Sequence, residues 1–192
     1  MVVMTLAMLK RQKAYEVRGK DLLNGRREGR ELAERLLAHL AEMEPDSVLP
    51  VSFSKVSFMD FSCADELMTR VLRRVRSGEL GTRFVLLAEM PTSVEENITA
   101  ALEIRELVCP KLTKEGKIEV IGKIGPELAE TYRLAVRKGR ITARDVLAIA
   151  PEVGISAASN RLAKLQAMGL LMRTREAAPE SGGRQFAYEA VR

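Results

Sequence analysis

The chain has 192 residues, of which 46% are hydrophobic and 30% charged, a composition typical of a soluble globular protein with one domain or two small ones. Aromatic residues make up only 4% and tryptophan is absent, which argues against a large aromatic-lined pocket. The net charge of +5 is uneven, because residues 125–192 carry 11 Lys and Arg against 7 Asp and Glu, whereas residues 1–124 carry 20 against 19. The basic final third indicates a polyanionic partner for that part of the chain.

The first two thirds of the chain alternates strand and helix patterns. In chain order, the predicted elements are strands at 4–9 and 14–17, a helix at 27–43, strands at 48–53 and 56–59, a helix at 64–75, a buried strand at 84–87, a helix that opens at Thr92 and Ser93 and ends at Pro110, and a strand at 118–121. Such alternation predicts an α/β layer in which helices pack on a sheet. A boundary is predicted at 122–126, which gives domains of 1–123 and 124–192.

The final third predicts a helix, a helix-turn-helix and a hairpin. The predicted elements are helices at 128–136, 143–149 and 156–168, and strands at 170–175 and 185–191 joined by a Pro/Gly/Ser loop at 177–184. Thr142 and Ser156 are predicted to cap the second and third helices. Gly169 lies at the position where glycine commonly ends a helix.

The third of these helices carries the strongest pattern. Its apolar residues recur at helical spacing and predict a face packed into a three-helix core. These residues are Ile155, Ala158, Leu162 and Leu165. The other faces carry Ser156, Ser159, Asn160, Arg161 and Lys164, side chains that donate hydrogen bonds to phosphates and base edges. We therefore expect the side that carries Arg161 to be open to a DNA groove.

This part of the chain resembles the winged helix-turn-helix family of bacterial regulators. The resemblance is carried by residues 142–146, Ile155-Ser156, residues 160–162 and the run LQAMGLL at 165–171. It implies an α+β winged-helix domain that binds double-stranded DNA. The residues implied to contact DNA are Ser156, Ser159, Asn160, Arg161, Lys164, Arg173, Arg175 and Arg184. Because the third helix has only two positive charges, a homodimer on a two-fold site is expected. A role as a protein–protein adaptor is the alternative.

In the stretch VSFMDFSCADEL, residues 56–67, a predicted strand is followed by a predicted helix, and Asp60-Phe61-Ser62 connects the two. Ser62 is predicted to cap the helix from Ala64, with Asp65 at capping-box spacing. A phosphoryl group on Ser62 would then face the positive end of the helix. A plain cap, which stabilises by about 1 kcal/mol, explains the same residue.

Residues 56–60 also resemble the strand and acidic turn of the STAS family, and more closely its STAS-like bacterial branch. Ser62 falls where the phosphorylatable serine of anti-anti-sigma factors sits, although Phe61 and Cys63 depart from their Asp-Ser-Ser-Gly turn. The resemblance implies a STAS-like α/β domain that handles oligomerisation, a protein partner or a signal, with Ser62 as a phosphorylation site.

No catalytic set is predicted. His39 is the one histidine, so a histidine dyad or a histidine-rich metal site is not available. Asp65 and Glu66 are adjacent on a predicted helix, so their side chains point in different directions and do not form an acid/base pair. Cys63 and Cys109 have no metal-site spacing and are expected to be buried thiols in a reducing compartment. We expect no enzyme activity, cofactor or metal. Since no signal peptide is recognised and no apolar run approaches roughly 18–20 residues, a cytoplasmic location without membrane association is expected.

The sequence thus predicts a DNA-binding transcriptional regulator. The rival interpretation is an anti-anti-sigma-like interaction switch, phosphorylated on Ser62, in which the winged helix is a protein adaptor.

Overall fold

The computed structural model describes residues 14–17, 21–175 and 186–192. The strands within these ranges are β1 Tyr15–Glu16, β2 Leu22–Leu23, β3 Ser47–Ser52, β4 Phe58–Met59, β5 Arg83–Ala88, β6 Val108–Leu112, β7 Ile118–Gly122, β8 Arg140–Ile141, β9 Leu171–Arg175 and β10 Phe186–Ala190. The helices are α1 Gly25–Glu42, α2 Phe61–Arg76, α3 Thr92–Ile104, α4 Pro126–Lys138, α5 Ala143–Ile149 and α6 Ile155–Ala167. The chain divides into two compact units between Lys123 and Ile124.

The first unit is an α/β layer built on a mixed five-stranded sheet. The strand order is β1-β3-β5-β6-β7, in which β7 alone runs antiparallel to its neighbour. The longest parallel pairing joins β3 to β5, from Ser47 opposite Arg83 to Ser52 opposite Ala88. Strands β2 and β4 form a separate parallel pair. The predicted α/β class is confirmed for this part of the chain.

The core of the first unit lies between the sheet and the helices α1, α2 and α3. Alternate residues of β5 point to opposite faces of the sheet, as strand geometry requires. Val85 and Leu87 join the large core that holds the leucines of α1 and the apolar faces of α2 and α3. Leu86 and Ala88 join a smaller cluster with Leu112. The continuous buried run of β5 follows from this two-sided packing.

Two predicted elements of the first unit differ in the structure. The helix predicted to reach Val108 ends at Ile104, and Val108–Leu112 is strand β6 instead. Glu106 adopts a left-handed φ of 54°, which ends the helix and turns the chain toward the sheet. Pro110 then lies inside β6, opposite Val120 of β7. The strand predicted at 56–59 is reduced to β4, and the strand predicted at 4–9 lies outside the described residues.

Within residues 124–175 and 186–192, the second unit combines three helices with a small antiparallel sheet. The strand order is β8-β10-β9, with Tyr188 of β10 between Ile141 of β8 and Arg173 of β9. Strand β8 lies between the predicted helices at 128–136 and 143–149 and is not among the predicted elements. The buried side chains come from every element and include Tyr132, Leu134, Ile141, Val146, Ala158, Leu162, Leu165, Leu171 and Ala187.

Helix α6 ends as the sequence predicts, but it begins differently. At its end Gly169 has a φ of 75°, and the amides of Gly169 and Leu170 donate to the carbonyls of Gln166 and Leu165. This pair of bonds is the Schellman arrangement that glycine permits. At its start the amide of Ala158 donates to the carbonyl of Gly154.

Two predictions about the start of α6 are therefore wrong. The cap is Gly154, so Ser156 is the second residue of the helix and is exposed. Ile155, predicted to join the core, leaves 51% of its surface exposed, because the core face is filled by Ala158, Leu162 and Leu165.

Candidate functional site

The surface of α6 opposite its buried face is polar and accessible. Ser156, Ser159, Asn160 and Lys164 are all exposed. Ser156 and Asn160 are four residues apart and therefore lie one above the other on the same side of the helix. Most of the polar residues predicted for this helix are thus on one solvent-facing surface, which we call the α6 face: Ser156, Ser159, Asn160 and Lys164.

Arg161 is the exception among the polar residues of α6. Its side chain is only 16% exposed, and its Nη2 lies 3.1 Å from Oε2 of Glu127 in the first turn of α4. The expectation that the Arg161 side of the helix is open is corrected by this ion pair. A guanidinium held against a carboxylate in this way links α6 to α4, and it is not presented to solvent as Lys164 is.

The hairpin supplies the other predicted residues. Arg173 in β9 is exposed, and its guanidinium carbon lies 4.3 Å from the ring centroid of Phe186 in β10, a cation–π contact. Arg175 is the last residue of β9. Arg184 and the predicted loop at 177–184 lie outside the described residues.

A set of polar contacts holds α5 in place beside α4. Thr142 caps α5 as predicted, and its amide donates to Oδ2 of Asp145 at 2.8 Å. Nζ of Lys138 lies 2.6 Å from the other oxygen of Asp145. Burial alone would raise the pKa of Asp145, but the bonds from Lys138 and Thr142 outweigh it and lower that pKa. Arg144, exposed in the first turn of α5, is a cation that the sequence prediction did not include among the DNA contacts.

The helix-start motif of the first unit is arranged around Asp60 and not around Ser62. The carboxylate of Asp60 accepts from the amide of Cys63 at 2.7 Å and from the amide of Gly25, at the start of α1, at 3.0 Å. One side chain therefore caps two neighbouring helices. Ser62 is the second residue of α2 and half-buried, so its predicted capping role is wrong. Asp60 takes the position because its longer acceptor reaches both amides.

The predicted capping partner Asp65 is also elsewhere, buried in a cluster of arginines. Arg105 donates to both of its oxygens, at 2.7 Å and 2.6 Å. Arg26 lies 3.7 Å from Asp65 and 3.6 Å from Glu66. The bond from Arg105 lowers the pKa of Asp65, and the bond from Arg70 lowers the pKa of Glu66. The four arginines of this cluster are Arg26, Arg30, Arg70 and Arg105.

The two cysteine thiols are buried and have low reactivity. Cys63 and Cys109 are both buried and free, as predicted for them. Burial raises the pKa of each to about 12, and for Cys63 the nearby Glu28 and Asp60 add to the effect. At neutral pH both are therefore protonated thiols, which are weak nucleophiles.

A cleft of about 680 Å³ lies beside α3 and the β6–β7 hairpin. Its lining includes six glutamates and two lysines, so it repels a polyanion. Lys111 pairs there with Glu95 and, at 3.3 Å, with Glu119. Within the described residues, no three His, Cys, Asp or Glu side chains are grouped so as to hold a metal ion.

Comparisons of the chain with protein-family models, with curated proteins and with solved structures found no match. Across the described ranges, no helix has both the length and the apolar character that a bilayer crossing requires. The chemistry of the described side chains is the basis for the function proposed below.

Proposed function

We propose that the chain is a DNA-binding regulatory protein, a transcriptional regulator whose residues 124–192 form a winged helix-turn-helix domain. The order of α4, α5, α6 and the β9–β10 hairpin supports this proposal, since it is the helix, helix-turn-helix and hairpin order on which the resemblance rests. In such domains the last helix enters the major groove of double-stranded DNA.

One observation carries the proposal, and it is the composition of the α6 face. Ser156, Ser159 and Asn160 are short donors and acceptors that leave room for close approach to base edges. Lys164 adds an exposed ammonium for a phosphate oxygen. The buried face, by contrast, fixes the helix rigidly on its domain through Leu162 and Leu165, which are fully buried. A rigid helix with a polar outer surface is what direct readout needs.

The remaining parts of the proposal follow from charge and from the first unit. Because α6 supplies few exposed cations, we propose that the protein binds DNA as a homodimer on a two-fold site. Exposed Arg144 and Arg173 supply further phosphate contacts. The first unit, residues 1–123, is proposed to be a STAS-like domain that mediates oligomerisation, binds a protein partner or senses a signal. We propose no catalytic role, and a cytoplasmic location.

The test compares two lysine variants of the full chain on a fluorescent duplex. Lys164→Ala is expected to weaken binding several-fold and to lower the slope of log K against log salt concentration by about two, one for each protomer of the proposed homodimer. Lys114→Ala is the matched control, since it removes the same charge from an exposed position of the first unit. Equal affinities for the two variants would contradict the assignment of the α6 face.

The second candidate is the interaction switch phosphorylated on Ser62. It keeps support from the place of Ser62 in the first turn of α2, where the helix dipole favours negative charge. Mass spectrometry of the natively expressed protein tests it. Phosphate on Ser62 together with no duplex affinity favours the switch, whereas unmodified Ser62 across growth conditions leaves that residue without this role.

A further inference from the structure

The first two turns of α6 contain one cationic side chain, and most of its surface is not accessible to solvent. Among residues 155–162, all of them described, Arg161 is the one arginine or lysine. Its guanidinium is paired with Glu127 at 3.1 Å, and its side chain is mostly buried. An arginine is the commonest specific contact to guanine, because its fork matches the O6 and N7 acceptors. To make that contact here, Arg161 would have to leave both its partner and its packing.

The other exposed side chains in the first two turns of α6 suit a different base pair. The exposed amide of Asn160 offers one donor and one acceptor, the pattern that adenine N7 and N6 complement. Ala157 is apolar and exposed, and it lies three residues before Asn160 and therefore on the same side of the helix. Apolar groups at the groove-facing end of a reading helix contact the C5-methyl group of thymine.

We infer that α6 reads adenine–thymine base pairs, with Asn160 on adenine and Ala157 against a thymine methyl group. This inference rests on the proposed DNA binding and adds the base preference to it. Lys164 lies one turn beyond Asn160 and contacts phosphate, where it adds affinity without sequence information. Glu127 sets the preference indirectly, because it keeps Arg161 away from the bases.

The experiment begins with selection of bound fragments from random duplex DNA by the full chain. One selected duplex is then resynthesised with uracil for thymine, which removes only the methyl group, or with 7-deazaadenine for adenine, which removes only the N7 acceptor. Each change is expected to weaken wild-type binding about fivefold or more, the lower end of what one base contact contributes. Ala157→Gly is expected to lose sensitivity to uracil, and Asn160→Ala to lose sensitivity to 7-deazaadenine.

A glutamate pair provides the matched control for the role of Glu127. Glu127→Gln weakens the hold on Arg161 and is expected to raise affinity for duplexes with guanine at the selected positions several-fold. Glu130→Gln removes the same charge from an exposed position of the same helix and is expected to leave the preference unchanged. Circular dichroism confirms that each variant is folded.

The outcomes separate this inference from the function on which it rests. Absence of binding to any duplex at low salt overturns the proposed function itself. Binding that is indifferent to uracil and to 7-deazaadenine, or selected sites fixed by guanine in the wild type, overturns the base preference and leaves DNA binding standing.

Discussion

The cluster around Asp65 in the first unit and the α6 face in the second unit use polar and charged side chains in opposite ways. In the first unit, Arg105 and Arg26 form ion pairs with the buried Asp65, and these pairs link α2 to its neighbours. In the second unit, the α6 face presents Asn160 and Lys164 to solvent. The comparison teaches that the location of a basic residue in the sequence says less than the partner it has in the fold.

Arg161 shows why this difference matters for function. By sequence it belongs to the reading surface, but by its contact with Glu127 it behaves like the arginines of the first unit. If the cations that are paired within the fold are set aside, the α6 face that remains is small and polar, and Lys164 is its one charged residue.

Replacing Leu162 by alanine breaks the scaffold on which the α6 face depends. Leu162 is fully buried, so the truncation is expected to lower the free energy of unfolding of the second unit by about 2–5 kcal/mol. Urea unfolding of the full chain measures this loss. Ala163→Ser, at the next and exposed position, is expected to change it by less than about 0.5 kcal/mol. Similar costs for both substitutions would mean that α6 does not pack as described.

Replacing Gly29 by alanine tests the close approach of α1 and α2. A Cβ at this position would lie 2.4 Å from the carbonyl oxygen of Cys63, which is backbone and cannot yield cheaply. Alanine normally stabilises a helix relative to glycine by about 1 kcal/mol. Here overpacking is expected to reverse the sign and destabilise the first unit by about 1–3 kcal/mol.

The control for Gly29 is Ala38→Gly, on the exposed surface of the same helix. It is expected to cost about 1 kcal/mol through helix propensity alone. Thermal unfolding of the two variants gives the comparison, and a Gly29→Ala protein that melts above the wild type would refute the close approach.

Replacing Asp60 by alanine tests which residue caps α2. Because its carboxylate accepts from the amides of both Cys63 and Gly25, the change is expected to destabilise the first unit by about 1–2 kcal/mol. Ser62→Ala is expected to cost less than about 0.5 kcal/mol, since Ser62 is not the cap. Chemical denaturation distinguishes them, and a larger loss for Ser62→Ala would restore the cap assignment made from the sequence.

Acid is expected to weaken the first unit through two carboxylates that are paired with arginines, the buried Asp65 and the partly buried Glu66. The pKa of Asp65 lies below its ordinary value of 3.8 because of Arg105, and the pKa of Glu66 lies below 4.5 because of Arg70. Their contribution is therefore complete above those ordinary values and is lost as pH falls through the lower values of the folded state. Unfolding free energies measured at successive acidic pH values give this profile.

Asp65→Asn is the variant that isolates part of this acid effect. Its profile is expected to be shallower in acid than the wild-type profile, because one depressed carboxyl has been removed. Identical slopes for Asp65→Asn and the wild type would show that Asp65 is not the group that titrates.

Periodic patterns predicted much of the fold, because they report on burial within one element. The leucines of α1, the continuous apolar run of β5 and the Gly169 stop of α6 are local signals of this kind. Two-residue strands such as β8 carry no periodicity and are defined only by their pairing with β10. The helix from Thr92 was predicted too long because the left-handed turn at Glu106 has no apolar signature.

The details of the candidate sites depended on contacts between distant residues. Asp60 outcompetes Ser62 because it also reaches Gly25, which is 35 residues away. Arg161 of α6 forms an ion pair with Glu127, which lies on another helix, α4. Single-sequence reasoning selects a residue type suited to a role, but it does not see a second partner that competes for that residue. The DNA-contact set remains a prediction, with Arg161 the member whose environment differs most from expectation.

The most direct test of the central claim is the affinity of the full wild-type chain for duplex DNA as salt is varied. If the second unit binds DNA through the α6 face and its neighbouring cations, log K falls linearly with log salt concentration, with a slope of several units for a dimer. No measurable duplex affinity at low salt would contradict the account.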